Sequence, residues 1–360
     1  MIALPPFPWD RLAGFAEQAA DHPDGAVDLS IGTPVDPVPA VVRRALTDDA
    51  DFPGYPMTAG TVALRDAAAD WVRRQSRVSA VFEVLPTIGS KELVAALPTQ
   101  LGLGPADTVV IPELGYPTYE VGVLLAGATV VRADDPTALP GPPPAMVWLN
   151  HPANPTGRVL SAQRLREIVT WARRHGVVVV SDECYLTLGW EAQPVSILDE
   201  AVCGGDATGV LAVHSLSKRS NLAGYRAGFI AGDPSLVSAL LALRKHAGLI
   251  VPRPVQSAMV AALRDEEHAT EQRRTYRRRR EVLRAGLVEA GFTIDESVAG
   301  LYLWATRGED CWDTVAWLAE RGIVVSAGEF YGPKGSHHVR VGLTAPDDRI
   351  AAAVARLRAG

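Results

Sequence analysis

The chain has 360 residues, 48% hydrophobic and 21% charged, an ordinary globular composition with room for one large domain and a smaller one. Its net charge of −6 gives no electrostatic reason to bind nucleic acid or an anionic membrane. The three cysteines, Cys184, Cys203 and Cys311, lie far apart, which argues against a disulfide framework or a metal site and for a reducing, cytoplasmic setting. Met1 to Asp10 shows no basic segment followed by an apolar one, so no secretory leader is expected. No apolar run has the length of a membrane span.

Residues 1–29 read as an arm, kept extended at first by Pro5, Pro6 and Pro8, with a short helix over Trp9 to Ala20. Leu29 to Pro34 is a glycine-and-proline turn. Pro39 to Leu46 reads as a helix opened by proline. Val62 to Gln75 is a helix with Leu64, Ala67, Ala68 and Trp71 on one face. From Val84 to Ile230, short apolar runs alternate with amphipathic helices. Strands are expected at Thr108–Ile111, Ala128–Val131, Met146–Leu149, Val177–Val180 and Val210–Val213. Ser161 can cap the helix carrying Leu165, Ile168, Val169 and Ala172, and Gly176 can stop it. This alternation predicts an α/β domain with a mostly parallel sheet.

After Pro234 the pattern changes. Helices are expected over Leu236–Ala247, Pro254–Arg264 and Glu266–Ala290. Strands follow at Phe292–Ile294, Gly300–Ala305, Ile323–Ser326 and His338–Gly342, with helices at Asp310–Arg321 and Asp347–Leu357. We divide the chain into a large domain, residues 30–264, and a small α+β domain, residues 1–29 with 265–360. The basic run Arg273–Arg280 lies beside Glu266, Glu267, Glu271 and Glu281, so it reads as a solvated helix face. His337–His338 reads as an exposed strand start.

In parallel sheets, ligands sit beyond the carboxyl ends of the strands. Beyond Val210–Val213 lies Ser215-Leu216-Ser217-Lys218, followed by Gly224, Arg226 and Gly228. Hydroxyls, flexible backbone and a fixed cation suit an anionic phosphate beside an amine nucleophile. A lysine reacts only when partly unprotonated, and burial or a neighbouring cation such as Arg226 lowers its pKa. Beyond Met146–Leu149 lies Asn150-His151-Pro152-Ala153-Asn154-Pro155-Thr156-Gly157. Asn154 either offers an amide donor or belongs to a plain turn. Beyond Val177–Val180, Asp182 either faces a protonated heterocyclic nitrogen or caps a helix, and Tyr185 can hydrogen-bond a phenolate. Gly89-Ser90-Lys91 opens a helix with free N–H groups, a generic anion site. Tyr116 either stacks on a planar ligand or sits in the core. Together these strand ends fit one ligand with a pyridine ring, a phenolate, an aldehyde and a phosphate: pyridoxal 5′-phosphate.

The order of these segments resembles the class I/II aminotransferases of the pyridoxal-phosphate-dependent fold-type I family, over nearly the whole chain. The resemblance implies a mostly parallel seven-stranded sheet in the large domain. It implies that Lys218 is the Schiff-base lysine and the acid and base of the reaction. Gly89, Ser90, Lys91, Ser215 and Arg226 would hold the phosphate, Asp182 the ring nitrogen, Asn154 and Tyr185 the ring oxygen, and Tyr116 the ring face. Tyr55 matches the tyrosine lent across a homodimer to the neighbour's phosphate. Arg340 matches the clamp for the substrate α-carboxylate, and Gly32 the glycine whose backbone covers the substrate. No metal is implied.

The segments Leu29–Pro39 and Gly328–Pro333 further resemble actinobacterial N-succinyldiaminopimelate aminotransferases, with glutamate and 2-oxoglutarate as the partner pair. A substrate with two distal acids wants a cation beyond Arg340, and Arg158, Arg253 and Lys334 are candidates. An aminotransferase of other amino-acid specificity and a C–S β-lyase on the same fold share every cofactor residue and stay open.

Overall fold

The structure is a computed structural model that describes residues 4–359. Met1–Ala3 and Gly360, the ends of the expected small domain, lie outside the described residues. The alternation of strands and helices produces a seven-stranded sheet. Its order is Glu83–Ile88, Ala227–Gly232, Val210–Ser215, Val178–Asp182, Met146–Asn150, Thr108–Ile111, Thr129–Arg132. Ala227–Gly232 runs antiparallel to both its neighbours, and the other pairings are parallel. Met146–Asn150, Val210–Ser215 and Ala227–Gly232 are buried at every position, as a sheet covered on both faces requires. Val147 and Leu149 pack on one side with Leu64, Leu165 and Ile168. Met146 and Trp148, one residue out of step, pack on the other with Leu93, Leu97 and Tyr119.

Local signals set the helix ends. Ser161 Oγ accepts from the Arg164 amide at 3.1 Å, and Gly176 ends that helix at φ +67°. Pro39 stands at the N-cap of the Ala40–Asp48 helix. The Trp9–Ala20 segment begins as a 3₁₀ turn, Pro8–Leu12, and becomes α-helical only at Ala13.

A four-stranded antiparallel sheet follows in the order Ser326–Ala327, Val339–Gly342, Tyr302–Thr306, Thr293–Asp295. The expected strand Ile323–Ser326 is not one strand. Ile323–Val324 pairs in parallel with Val27–Asp28, and Ser326–Ala327 joins the four-stranded sheet. The break at Val325 lets one apolar run serve two sheets.

The arginine-rich helix, Glu267–Glu289, corrects a second expectation. Arg274, Arg277 and Arg278 are solvated, but Arg279 and Arg280 are buried on the face that carries Tyr276, Leu283 and Leu287. Arg279 forks onto Asp36 at 2.6 and 2.8 Å and onto Asp347 at 2.6 Å. Arg280 reaches Glu191 and the Ser297 carbonyl. The two buried guanidiniums are thus matched by acceptors remote in sequence. Among the described residues, no helix is long and apolar enough to cross a membrane.

Candidate active site

The carboxyl ends of the parallel strands open into a cavity of about 520 Å³. Lys218, Asp182, Asn154, Tyr185, Tyr116, Ser90, Lys91, Ser215, Arg226, Gly32 and Arg340 all line it. Two expected residues do not. Gly89 stands behind Arg226, and Tyr55 is 97% exposed, away from the cavity of its own chain.

Lys218 follows the Val210–Ser215 strand, and its Nζ donates to the Gly32 carbonyl. Burial pushes the amine below the ordinary lysine range, and the Arg340 and Arg226 charges push the same way. Asp182 ends the Val178–Asp182 strand and is 6% exposed. Its Oδ2 accepts from the Tyr119 hydroxyl at 2.7 Å and its Oδ1 from the Cys184 amide at 3.2 Å. Burial pushes this carboxyl up, against those hydrogen bonds. A cationic N–H facing it would favour the ion.

Asn154 is buried in the loop after Met146–Asn150. Its amide N–H donates to Asn150 Oδ1 at 2.6 Å, and its own Oδ1 accepts from Arg340 Nη1 at 2.9 Å. Arg340 comes from the small sheet and is 2% exposed. Its Nη2 donates to the Ser30 carbonyl at 2.6 Å, and its Cζ lies 3.8 Å from the ring centroid of Tyr302. The buried Nε has no hydrogen-bond partner among the described residues. A buried guanidinium with an unused edge suits a carboxylate ligand.

At the other end, the helix starting at Gly89 presents its first N–H groups to the cavity beside Ser215, Ser217 and Arg226. Ser215 Oγ donates to Ser217 Oγ at 2.9 Å. Arg226 has a left-handed backbone, φ +56°, and its Nη1 donates to the Ala223 carbonyl at 2.7 Å. That conformation costs about 1–2 kcal/mol for a residue with a Cβ, so the surroundings must hold it.

Sequence reasoning missed four contributors. Tyr119 was not among the expected site residues, yet it anchors Asp182. Tyr302 lay in an expected strand, yet its hydroxyl meets that of Tyr185 at 3.2 Å. Phe7 and Trp9, from the arm, wall the mouth. Only the alternation of Gly300–Ala305 could have flagged Tyr302 as inward-facing. Of the proposed distal cations, none lines the cavity: Arg158 pairs with Asp134, Arg253 with Asp49 and Lys334 with Glu113. His338 is not fully exposed; it stacks on Trp304 at 4.8 Å and bonds Asp295.

An amine with a lowered pKa, a buried carboxylate, a guanidinium edge and a phosphate-sized nest of donors fit pyridoxal 5′-phosphate and an amino acid. Residues 24–357 match the family described as aminotransferase class I and II. The chain is 60% identical to "Probable aminotransferase Rv1178" of Mycobacterium tuberculosis over 99% of its length and 85% of that protein's. It is 57% identical to "4-dedimethylamino-4-oxo-anhydrotetracycline transaminase OxyQ" of Streptomyces rimosus, over 99% of this chain and 100% of that one. A Thermus thermophilus structure described as a probable N-succinyldiaminopimelate aminotransferase superposes with a TM-score of 0.88 at 27% identity, covering 98% and 100% of the two chains. Fold, donor set and relatives agree: this chain belongs to the class I and II aminotransferases, and its cofactor is pyridoxal 5′-phosphate.

Proposed function

We propose that the protein transaminates N-succinyl-LL-2,6-diaminopimelate, with 2-oxoglutarate and glutamate as the partner pair. Lys91 carries this reading. The cationic side chains lining the cavity are Lys91, Lys218, Arg226 and Arg340. The amine, the phosphate and the α-carboxylate use the last three. Lys91 remains exposed at the mouth, its Nζ 5.4 Å from the ring centroid of Phe7, with no ion pair among the described residues. A substrate with distal acids supplies the missing partner. The Thermus neighbour's description is consistent with such a substrate.

When bound, pyridoxal 5′-phosphate supplies an aldehyde for the substrate amino group and a ring that withdraws electrons from the α-carbon. The chain does the rest. Ser90, Ser215 and Arg226 hold the phosphate. Asp182, anchored by Tyr119 and the Cys184 amide, would face the ring nitrogen and favour a proton there. Asn154 and Tyr185 hold the ring oxygen. Arg340 grips the substrate carboxylate and so sets which α-carbon bond faces Lys218. Lys218 Nζ would accept the α-proton as general base and, once protonated, serve as the general acid that gives it back. Gly32 lines the cavity beside Lys218, and its lack of a side chain makes room for the Tyr302 phenol.

The partner of Tyr55 is a second copy of the chain. Phe52, Tyr55, Met57 and Val62 expose apolar surface close together in sequence, which a homodimer would cover.

The test is a visible spectrum of the cofactor-loaded protein during titration with N-succinyl-LL-diaminopimelate. Loss of the visible band, restored by 2-oxoglutarate, supports the substrate. A protein that ignores this compound but responds to another amino donor keeps the family and loses the substrate. The 57% identity to OxyQ and the aromatic mouth of Phe7 and Trp9 favour, as the second reading, an amino group placed on or taken from a bulky ring system.

A further inference from the structure

Tyr302 touches more of the reaction centre than any role given to it so far explains. It is 4% exposed and points from the small sheet into the cavity. Its hydroxyl lies 3.2 Å from that of Tyr185, and the two rings meet edge-on at 5.9 Å and 77°. Arg340 covers its ring face at 3.8 Å. A methyl group on Gly32 would collide with its hydroxyl and ring edge. The Gly32 backbone therefore packs directly against the Tyr302 phenol.

The chemistry of this pair is asymmetric. Burial pushes both phenols up. Tyr185 stays well above the ordinary range, whereas the charges of Arg340 and Lys218 carry Tyr302 below it. The more acidic phenol is the better donor once its neighbour's hydroxyl turns elsewhere. A hydroxyl has one hydrogen and two lone pairs. If Tyr185 gives its hydrogen to a ring oxygen, its own oxygen is left to accept, and Tyr302 is the hydroxyl within reach.

We propose that Tyr302 is a positioning residue that acts through Tyr185: its hydroxyl donates to Tyr185 while Tyr185 donates to the oxygen of the bound cofactor ring. The two phenols form a relay in which no proton changes owner. Each hydrogen rotates on its own oxygen. Arg340 sharpens the relay by sitting over the Tyr302 ring, so the carboxylate clamp and the ring-oxygen donor share one side chain. The inference rests on the placement of the cofactor ring beside Tyr185, and not on the identity of the amino donor.

The experiment uses the cofactor-loaded protein and reads the pH midpoint of its visible band, without turnover. Tyr185→Phe raises the midpoint, because the ring oxygen loses its donor; no shift there would remove the cofactor ring from Tyr185. Tyr302→Phe raises it in the same direction by roughly half a pH unit, the scale of one supporting hydrogen bond. The double variant matches Tyr185→Phe alone, because in the relay the effect of Tyr302 on the ring passes through Tyr185. An unchanged midpoint in folded Tyr302→Phe, or additive shifts in the double variant, overturns the relay. Replacing Tyr302 by 3-fluorotyrosine keeps the ring and makes the phenol more acidic, so it lowers the midpoint. A rise or no change there also overturns the proposal, and this substitution serves should Tyr302→Phe fail to fold.

Discussion

Gly89 and Arg226 occupy one space: a methyl group on Gly89 would strike the Arg226 guanidinium. Gly89 also has φ +68°, a conformation that side chains resist. Gly89→Ala therefore displaces the cation assigned to the cofactor phosphate while leaving the rest of the fold intact. A loss of about 1–3 kcal/mol from strain and displacement corresponds to roughly tenfold to a hundredfold weaker cofactor binding. Equilibrium dialysis with pyridoxal 5′-phosphate measures it. Unchanged affinity would separate Arg226 from the phosphate.

Lys218→Met abolishes transamination but leaves a protein that still binds the cofactor without a covalent link. Borohydride then traps no cofactor on the chain. The substitution also changes stability. Burial lowers the Lys218 pKa in the folded state, so between the folded and unfolded values the unfolded chain binds more protons and wild-type stability rises with pH. Without cofactor, Lys218→Met should melt above wild type at neutral pH. The gap should narrow as the pH climbs through the ordinary lysine range. A gap that widens with pH would contradict a depressed amine.

Arg340→Ala removes a buried cation whose Nε finds no partner among the described residues. Every carboxylate substrate loses the same contact. We expect KM to rise about a hundredfold for donor and acceptor alike, the usual scale for truncating one partner of a buried charge pair. Arg340→Lys restores the charge without the fork and should recover only part of the loss. Steady-state kinetics with two unrelated amino donors decide whether the clamp is shared.

Lys91→Met tests the mouth of the cavity. KM for N-succinyl-LL-diaminopimelate should rise about two- to fivefold, the range for one exposed ion pair, while a donor with no distal acid is unaffected. An equal rise for both donors would place Lys91 in phosphate binding instead.

Tyr55 stands 97% exposed in its own chain. Mixing Tyr55→Phe with Lys218→Ala subunits should restore activity if each site takes its tyrosine from the neighbouring copy. Verified mixed dimers without recovered activity would count against that sharing.

Lys218, Asp182, Asn154 and Arg226 were legible because each follows a strand that its own residues define. A strand end is a local feature, and the edge of a parallel sheet gathers such ends in one place. Tyr119 and Tyr302 were not legible. Their partners lie 63 and 117 residues away, so their contacts exist only after packing. Phe7 and Trp9 reach the cavity because the arm folds back, which no local period reports. Arg279 and Arg280 misled for the opposite reason. Their acidic partners, Asp36 and Glu191, are remote in sequence, and nearby glutamates suggested a solvated face instead. At Val325 the apolar pattern continues without interruption, so nothing local marked the change of sheet.

The antiparallel strand Ala227–Gly232 has a consequence for how this enzyme can change. Ser215 and Gly228 are paired across the ladder, so the loop carrying Lys218 and Arg226 is closed at both ends like a caliper. Its length sets the spacing between the reacting amine and the phosphate-end cation, and one inserted residue would spoil the measure. Phe7, Trp9 and Lys91 lie outside that caliper. Substrate range can drift through those positions while the distance on which the chemistry depends stays as it is.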